Sequence, residues 1–320
     1  MVNDKMVNGL MLAVIINPKS GKSFFRAQRL YLWRLLRSHK VPFVYRVTRY
    51  AAHATEEARE LVEQGYRRIL VLGGDGTLSE VVNGIMEAKI SDEERRKVAL
   101  GLMPRGTGND WGRFWGLDKH HKRSLERFFH CQDTPVDVGC ISFLRNGEEH
   151  RRWFINSLGF GIDSLTCVNA EKLKPYIGSH HVNYFFGLLE ALWHLKPIPM
   201  TLSVDGPVMV RSKLYHMSIG NGPFSGGGIR QNPTADPRDG VLNGIFVEKP
   251  TFRQIMQALP RLFDGRLNDL SFIHAFQGTD FRLDTKAHLL FEADGITENI
   301  MGPCRVTCHK HAFSFVGTPE

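Results

Sequence analysis

Hydrophobic and polar positions follow two different periods in the first third of the chain. Short apolar runs, such as residues 69–72, predict buried strands, and amphipathic segments, such as residues 54–64, predict helices. Strands and helices in alternation are typical of a parallel sheet with helices on both faces. The predicted strands are residues 10–17, 43–48, 69–72 and 98–103, and the predicted helices are residues 24–37, 54–64 and 78–88.

After about Cys131 the pattern changes, and short strand-like runs dominate. They predict an antiparallel β domain, a sandwich, that begins near Pro135 and is interrupted by helices at residues 183–195 and 251–263. The predicted strands are residues 136–143, 153–157, 200–204, 212–219, 241–247, 272–276, 279–283, 288–291 and 305–316.

Composition narrows the function classes. The 320 residues, 42% of them hydrophobic, suffice for one large or two ordinary domains. The net charge of +8 favours anionic partners, but the basic residues are scattered, which argues against a dedicated nucleic-acid surface. The longest apolar stretch, residues 184–195, contains Glu190 and His194 and is shorter than the roughly 20 residues of a membrane span. We therefore expect a soluble or at most peripheral protein.

Cysteine usage points to a reducing compartment. The five cysteines include no CxxC motif, and the first residues lack the features of a signal peptide, so we expect reduced thiols in the cytosol. Cys304 and Cys308, with His309 and His311 beside them, would suit zinc. Because no second ligand pair stands at a standard spacing, a closing strand is the favoured interpretation.

A glycine turn between a predicted strand and a predicted helix is the most informative stretch. Glycines let the backbone come close to a ligand, and N–H groups at a helix start form an anion site. A carboxylate repels bare phosphate, so Asp75 is interpreted as holding a metal or a network around one. The turn favours a nucleotide-phosphate site over an ordinary βα turn. Its sequence is Gly73-Gly74-Asp75-Gly76-Thr77-Leu78.

Two common phosphate signatures are excluded. Residues 17–23 end like a P-loop, but Ile16 stands where the first glycine is required. The turn at Gly74 lacks the third glycine of a dinucleotide fingerprint, because Ser79 stands there. A phosphate site in this chain would therefore be neither a P-loop nor a dinucleotide-binding turn.

A second glycine turn, residues 104–110, also follows a predicted strand. Thr107 can offer a hydroxyl to a phosphate, and Asp110 can lie near a metal. The alternative is a loop with a helix cap at Asn109 or Asp110. Ligands of parallel sheets bind beyond the carboxyl ends of the strands, and both glycine turns and residues 17–22 fall there.

Three motifs of the second domain carry candidate chemistry. Residues 221–228 form a glycine-rich loop that suits a binding rim or a long hairpin. Residues 236–241 combine a carboxylate, a tight turn and carbonyls, the oxygen ligands that hard cations prefer. Asp294, before Gly295 at the end of a strand, can accept a proton from a substrate hydroxyl or occupy a type I′ or II′ turn.

Together these motifs give the chain a resemblance to a known family. The chain resembles the diacylglycerol kinase catalytic family, most closely the bacterial soluble lipid kinases related to sphingosine kinases, over nearly its whole length. The resemblance implies an α/β plus all-β fold. An N-terminal three-layer α/β domain with a parallel sheet, residues 1–134 and 305–320, would bind ATP, and a C-terminal antiparallel β-sandwich, residues 135–304, would bind the lipid. The five motifs are residues 17–22, 73–78, 106–110, 221–223 and 236–240.

The resemblance also implies individual roles. Asp294 matches the general base, and the carboxylate of Asp239 would hold a structural Mg²⁺ together with the carbonyls of Asp236 and Val241. Further acidic positions, which connect that ion through water to catalytic magnesium, are matched by Asp75, Asp110 and Asp137. The nucleotide-contacting positions are matched by Asn17, Lys22, Thr48, Gly73, Gly74, Asp75, Gly76, Thr77, Leu78, Ser79 and Thr107.

Two positions depart from the family pattern. Ile296 stands where the family usually has Glu, and Asn243 stands where the metal loop commonly ends in Asp. The first departure affects the expected active-site network. The second matters less if that Asp is not a ligand.

The interpretation is an ATP-dependent lipid kinase that uses Mg²⁺ and phosphorylates a lipid hydroxyl, such as that of diacylglycerol or a sphingoid base. An NAD kinase and a nucleotide-binding regulatory protein whose catalysis has lapsed remain alternatives. The lipid tail is expected between the sandwich layers or near the helix at residues 184–193. We expect a cytoplasmic protein with peripheral contact to anionic membranes and no nucleic-acid partner. The sequence leaves open the lipid and the oligomeric state, a homodimer being one option.

Overall fold

The computed structural model describes residues 12–21, 30, 33–34, 36–39, 41–117, 121–162, 164–169 and 196–319. The chain divides into two compact units. Unit 1 comprises Met1–Val136 and His311–Glu320, and unit 2 comprises Asp137–Lys310.

Unit 1 is built on a parallel sheet. Its strand order is β2-β1-β3-β4, and the end of the last strand, β16, adds in parallel beside β4 through Ser314 and Phe315. The elements are β1 (Leu12–Ile16), β2 (Phe43–Val47), α1 (His53–Glu63), β3 (Arg68–Gly73), α2 (Asp75–Glu87), α3 (Asp92–Arg96), β4 (Ala99–Pro104), α4 (Asp110–Phe114) and α5 (His121–His130).

Both faces of this sheet are covered, as the apolar runs predicted. Every residue of β1 is buried. On one face, Val14 packs in a cluster with Leu36 and with Phe128 of α5. Ala13 and Ile15 point to the opposite face and are also fully buried, while α1 and α2 pack on each other and contact β1 and β3. The three-layer α/β prediction is confirmed.

Unit 2 is a sandwich of two mainly antiparallel sheets. One has the order β12-β11-β10-β7-β14-β15; in the other, β16 pairs with β13, β13 with β8 and β8 with β9, and the β5–β6 hairpin joins β16. The elements are β5 (Asp133–Arg145), β6 (Glu148–Phe154), β7 (Ser157–Gly161), β8 (Ile198–Val204), β9 (Val208–Leu214), β10 (His216–Gly220), β11 (Leu242–Val247), α6 (Phe252–Asp264), a 3-10 turn (Leu267–Asp269), β12 (Ile273–Gly278), β13 (Asp280–Asp284), β14 (His288–Ala293), β15 (Ile296–Met301) and β16 (Cys304–Val316).

The core of unit 2 lies between the sheets, so the sandwich prediction is confirmed. Phe154, Phe160, Phe246, Phe281 and Phe291 are fully buried in one cluster. On the outer side of the first sheet, α6 and the 3-10 turn pack on β11 and β12 through a smaller apolar cluster.

Strand limits show where the sequence pattern was misleading. The predicted strands 153–157 and 212–219 were wrong as single strands, because each contains a break between two strands. The residues at both breaks are buried, so the apolar pattern continues through them. The predicted helix 78–88 begins three residues earlier, at Asp75, because Gly74 is the N-cap. Residues 30, 33–34 and 36–37 are helical as predicted, and the rest of helix 24–37 and the helix 183–195 lie outside the described residues.

Two strands run from one unit into the other. They are β5 and β16, and the predicted domain limits fall within them, at Pro135 and Arg305. No helix of the described part of the chain is long and apolar enough to span a membrane.

Candidate functional site

Loops that follow three neighbouring strands of unit 1 contact one another. Asn17, after β1, donates a hydrogen bond from Nδ2 to Oγ1 of Thr77 at 2.8 Å. Arg105, after β4, donates its backbone N–H to the carbonyl of Gly73 at 2.7 Å. The two glycine turns and the first motif therefore form one surface at the carboxyl edge of the sheet, where parallel sheets bind ligands.

Glycine is required where the two turns touch. A Cβ on Gly74 would lie 2.7 Å from Cα of Gly106, so neither position tolerates a side chain without movement. Gly76 is exposed, and a Cβ there would meet nothing within 4 Å. Open space beside the first turn of α2, whose N-cap has no side-chain hydrogen bond, is a place where an anion can reach backbone N–H groups.

The predicted nucleotide-contacting residues divide into exposed and buried positions. Thr107 is exposed in the turn that touches Gly74, whereas the Ser79 side chain is fully buried. Thr77, with its hydroxyl bonded to Asn17, and Leu78 are buried as well. Thr48 is buried beside the end of β1, where its N–H bonds the carbonyl of Ile16 at 2.9 Å. Lys22 lies outside the described residues.

Arg105 was not singled out from the sequence. Only 7% of it is exposed, and burial lowers the pKa of its guanidinium. Its Nη1 atom is buried and has no hydrogen-bond partner among the described residues. A buried donor calls for an acceptor, and a phosphate oxygen would be one. The signal available was a basic residue directly before Gly106.

The second glycine turn is fixed by its own asparagine. The Asn109 side chain accepts the N–H of Gly106 and donates to the carbonyl of Gly106, both at 2.8 Å. Asn109 is the N-cap of α4, as the alternative interpretation predicted, but its side chain bonds Gly106 and makes no cap bond to the helix. Asp110 begins α4 and is buried, and Asp75 begins α2 and is half-buried.

In unit 2, Asp137 closes the loop predicted to bind a metal. This carboxylate is fully buried, and its Oδ2 accepts the N–H of Gly240 at 2.6 Å, while the N–H of Asp137 bonds the carbonyl of Pro237 at 2.7 Å. Gly240 has a φ of 86°, which favours glycine. Asp137 therefore shapes this loop from inside.

The candidate metal ligands of this loop, residues 236–241, are all oxygen atoms. Asp239 is exposed, and its Oδ1 accepts the N–H of Val241 at 3.0 Å. The Asp236 carboxylate pairs with Arg238, whose Nε and Nη2 lie 2.7 and 2.6 Å from its two oxygens. The main-chain carbonyl of Asp236 is therefore the atom left to act as a metal ligand. One carboxylate with carbonyls fits a hard cation. The described residues contain no group of three or more His, Cys, Asp or Glu that could hold a metal.

Zinc chemistry at Cys304 and Cys308 finds no support in their surroundings. Both lie on β16, so the predicted closing strand is confirmed. Burial raises the pKa of both thiols to about 12, and the carboxylates of Asp137 and Asp239 add to the shift at Cys308. Zinc binds thiolates, which such surroundings disfavour.

Asp294 stands in the two-residue turn between β14 and β15, so the turn interpretation is confirmed. Asp294 and Gly295 have φ values of 49° and 88°, the positive pair of a type I′ hairpin. The carboxylate is 7% exposed and accepts the N–H groups of Ile155, Asn156 and Ser157 at 2.8, 3.0 and 3.0 Å. Asp294 thus holds the β6–β7 connection; its predicted role as a general base stays a prediction.

A buried polar network connects this turn to the loop predicted to bind a metal, residues 236–241. The Asn156 carbonyl accepts the N–H groups of Asn221 and Gly222 at 2.9 and 3.0 Å. Asn221 donates from Nδ2 to the carbonyls of Asp137 and Ile155 at 2.8 and 2.7 Å. Asn221 therefore anchors the glycine-rich loop at its start. Asn156 was missed because it looks like an isolated polar residue in an apolar run.

An apolar cavity of about 120 Å³ lies between the first sheet of unit 2 and α6. Its walls include Ile245 and Val247 of β11 and Ile255, Leu259 and Leu262 of α6. At one wall, Ser225 Oγ donates to Gln231 Oε1 at 2.7 Å, and Gln231 Nε2 lies 2.9 Å from His216 Nε2. An engineered cavity of about 150 Å³ with such walls binds benzene, so this one suits an apolar group.

Comparisons with known proteins agree with both units. The family model described as the diacylglycerol kinase catalytic domain matches residues 11–141. The model described as the YegS C-terminal NAD kinase beta sandwich-like domain matches residues 156–316. A protein of Staphylococcus saprophyticus named diacylglycerol kinase is 30% identical over 287 residues, which span 88% of this chain and 87% of that protein.

Solved structures show the same fold. A structure described as a diacylglycerol kinase from Bacillus anthracis has a TM-score of 0.73 and 20% identity, and the match covers 97% of each chain. An NAD kinase from Archaeoglobus fulgidus in complex with ATP has a TM-score of 0.51 and 12% identity, over 96% of this chain and 93% of that one.

Unit 1 carries the glycine turns and unit 2 is a β-sandwich, and the matches to known proteins cover both units. Together they define the class of protein. The chain belongs to the diacylglycerol kinase catalytic family, with the YegS-like β-sandwich as its second unit.

Proposed function

We propose that the protein is an ATP-dependent lipid kinase that transfers the γ-phosphoryl group of ATP to a lipid hydroxyl, such as that of diacylglycerol or a sphingoid base. The observation that carries the lipid part is the apolar cavity of unit 2, most of whose lining residues have hydrocarbon side chains. A nicotinamide or adenosine acceptor would call for a polar pocket instead.

The glycine turns of unit 1 are the proposed ATP phosphate site. The open space beside Gly76 and the uncapped start of α2 suit an anion, and the buried Nη1 of Arg105 adds a donor. Asn17 and Thr107 belong to the same surface. Backbone N–H groups held in place offset charge that develops on the phosphoryl oxygens.

Unit 2 is proposed to prepare the acceptor. The Asp294 carboxylate accepts the proton of the lipid hydroxyl as its oxygen attacks the γ-phosphorus, and ADP leaves. Mg²⁺ would supply positive charge for the phosphates. Asp239 and the carbonyls of Asp236 and Val241 would hold a structural ion. The remaining acidic positions proposed for the water-mediated link are Asp75, Asp110 and Asp137.

Incubation of the purified protein with γ-labelled ATP and separate acceptors tests this proposal. The acceptors are dioleoylglycerol, sphingosine, ceramide, phosphatidylglycerol and NAD, with Asp75→Asn as the inactive control. Label in a lipid that depends on Asp75 supports the proposal. Label in NAD alone, or ATP binding without turnover of any lipid, contradicts it, and the second result would favour lapsed catalysis.

We further propose a cytoplasmic location with peripheral attachment to anionic membranes. The net charge of +8 supports it, since anionic lipids attract basic surfaces. Sedimentation with anionic vesicles at low and high salt tests it. Binding that does not change with salt would contradict a purely electrostatic attachment.

A further inference from the structure

Helix α6 has a broad apolar face that lines the cavity at one edge and is exposed at the other. Ile255, Leu259 and Leu262 line the cavity, yet no residue of the helix is fully buried. Phe252 and Phe263, near its two ends, are 78% and 66% exposed. A surface helix normally presents polar residues to solvent, so this helix departs from the usual pattern.

The exposed apolar residues of α6 share one face. At 100° per residue, Phe252, Met256 and Phe263 fall within roughly 40° of each other around the helix. Met256 is 51% exposed, so all three side chains are exposed to solvent along one face of the helix, and we call these three residues the outer stripe. Contiguous exposed apolar patches mark interaction sites more often than isolated exposed side chains do.

The outer stripe and the cavity adjoin along the helix. Leu259 lies at about 20° from Phe252 in the direction of the cavity-facing residues, and it lines the cavity. A molecule in contact with the outer stripe would thus be one side chain away from the cavity wall.

The charge around the outer stripe favours an anionic partner. Residues 248–266 contain four basic residues and two acidic ones, a net charge of +2. Lys249 and Arg253 are exposed beside Phe252. A second copy of this face would bring like charges together, whereas an anionic bilayer offers both opposite charge and an apolar interior. Apolar residues on one face with Lys and Arg beside them are typical of helices that lie in a membrane surface.

We propose that the outer stripe inserts into the anionic bilayer that contains the lipid substrate, so that α6 brings the cavity of unit 2 to the membrane surface. The nature of the substrate rests on the proposed function. Attachment to the bilayer requires neither ATP nor turnover and can be measured by itself.

Vesicle binding of the triple variant Phe252→Ser/Met256→Ser/Phe263→Ser is the central measurement. Its matched control is Leu144→Ser/Val208→Ser/Met209→Ser, which removes apolar residues of unit 2 that are 57%, 54% and 39% exposed on other elements. Phe252→Ser alone serves as a milder variant, and circular dichroism checks that each protein folds. The probes are phosphatidylcholine vesicles with and without phosphatidylglycerol, in the absence of ATP.

The triple variant should bind anionic vesicles at least about tenfold more weakly, and the control should bind like the wild type. Turnover of lipid in vesicles should fall, while turnover of the same lipid in detergent micelles should not. Equal vesicle binding by folded wild type and triple variant overturns the inference. So does loss of self-association, seen by light scattering, without loss of vesicle binding. A protein that binds vesicles through the outer stripe but phosphorylates no lipid supports the inference and contradicts the proposed function.

Discussion

Asp205 and Asp294 occupy equivalent positions in two hairpins of unit 2. Each is the first residue of an Asp-Gly turn and has a φ of 49°, followed by a glycine at positive φ. Each carboxylate accepts main-chain N–H groups of another strand connection, Asp205 from Thr279 and Asp280, both at 2.9 Å. The same local arrangement therefore occurs once at the proposed base and once at a turn with no proposed chemistry.

A comparison of variants at these two positions distinguishes a structural role of the carboxylate from a catalytic one. Both carboxylate oxygens of Asp294 accept main-chain N–H groups, so an Asn would direct its amide N–H₂ towards an N–H donor, and Asp294→Asn should lower the free energy of unfolding by about 1–3 kcal/mol. Asp205 accepts both N–H groups through Oδ1 alone and is exposed, so Asp205→Asn keeps an acceptor there and should lower the free energy of unfolding less. Only Asp294→Asn should also lower kcat, by roughly 10²–10⁴-fold, with ATP binding little changed. Urea melts and steady-state kinetics of both variants measure this. If kcat is preserved in folded Asp294→Asn, this residue is not the base.

Asp205 should also give a pH-dependent contribution to stability. The N–H of Thr279 holds the pKa of this carboxyl below its ordinary value of 3.8. A lowered folded-state pKa stabilises the fold above the unfolded-state pKa, and this contribution disappears as the pH falls through the folded-state value. The stability difference between wild type and Asp205→Asn should hence be constant near neutral pH and shrink below about pH 3.8. A difference that grows on acidification would contradict the assignment.

Two neighbouring glycines should respond in opposite ways. Gly74→Ala forces a Cβ to 2.7 Å from Gly106 and should cost about 1–3 kcal/mol of stability. Gly76→Ala meets no atom within 4 Å and should leave stability equal or raise it by up to about 1 kcal/mol through helix propensity. It should nevertheless weaken ATP binding, because the methyl group occupies the proposed phosphate space. Calorimetric titration with ATP measures this effect. An unchanged affinity of Gly76→Ala for ATP would mean that Gly76 is not part of the phosphate site.

Asp75→Asn should abolish turnover while the protein stays folded. The carboxylate begins α2 beside the proposed phosphate site, where its charge is useful only for a metal or a network around one. Glu87→Gln, at the other end of the same helix, is the control for loss of one charge. Lipid phosphorylation near the wild-type rate in Asp75→Asn would contradict the assignment.

Magnesium should stabilise the protein through Asp239. An ion that binds the folded state raises the melting temperature by mass action, so Asp239→Ala should lose the Mg²⁺-dependent part of the Tm. Asp284→Ala, another exposed carboxylate of unit 2, should keep it. Equal Mg²⁺ shifts in wild type and Asp239→Ala would mean that Asp239 is not a ligand.

Sequence periodicity predicted the sheet of unit 1 and the sandwich of unit 2 because burial on one or both faces imposes it directly. It could not predict where a buried polar residue ends one strand and starts another. Ile155 and Asn156 look like part of a strand, yet their N–H groups bond Asp294, 138 or more positions away. Such a partner is defined only by the fold. Sequence motifs led to the predicted site residues. Arg105 and Asn156 could be recognised only from their burial and hydrogen bonds in the folded structure.

The last strand also sets the order of events during synthesis. Its end, at Ser314 and Phe315, pairs with β4 of unit 1, but the ribosome makes it only after residues 137–310, the 174 residues of unit 2. From the end of β4 to Ser314 the ribosome adds about 210 residues, so at roughly 5–20 residues per second β4 has one edge unpaired for about 10–40 s. An open strand edge invites pairing with other chains. Slow translation of the unit 2 segment would therefore favour aggregation of the nascent protein, and a chaperone that covers this edge would suppress it.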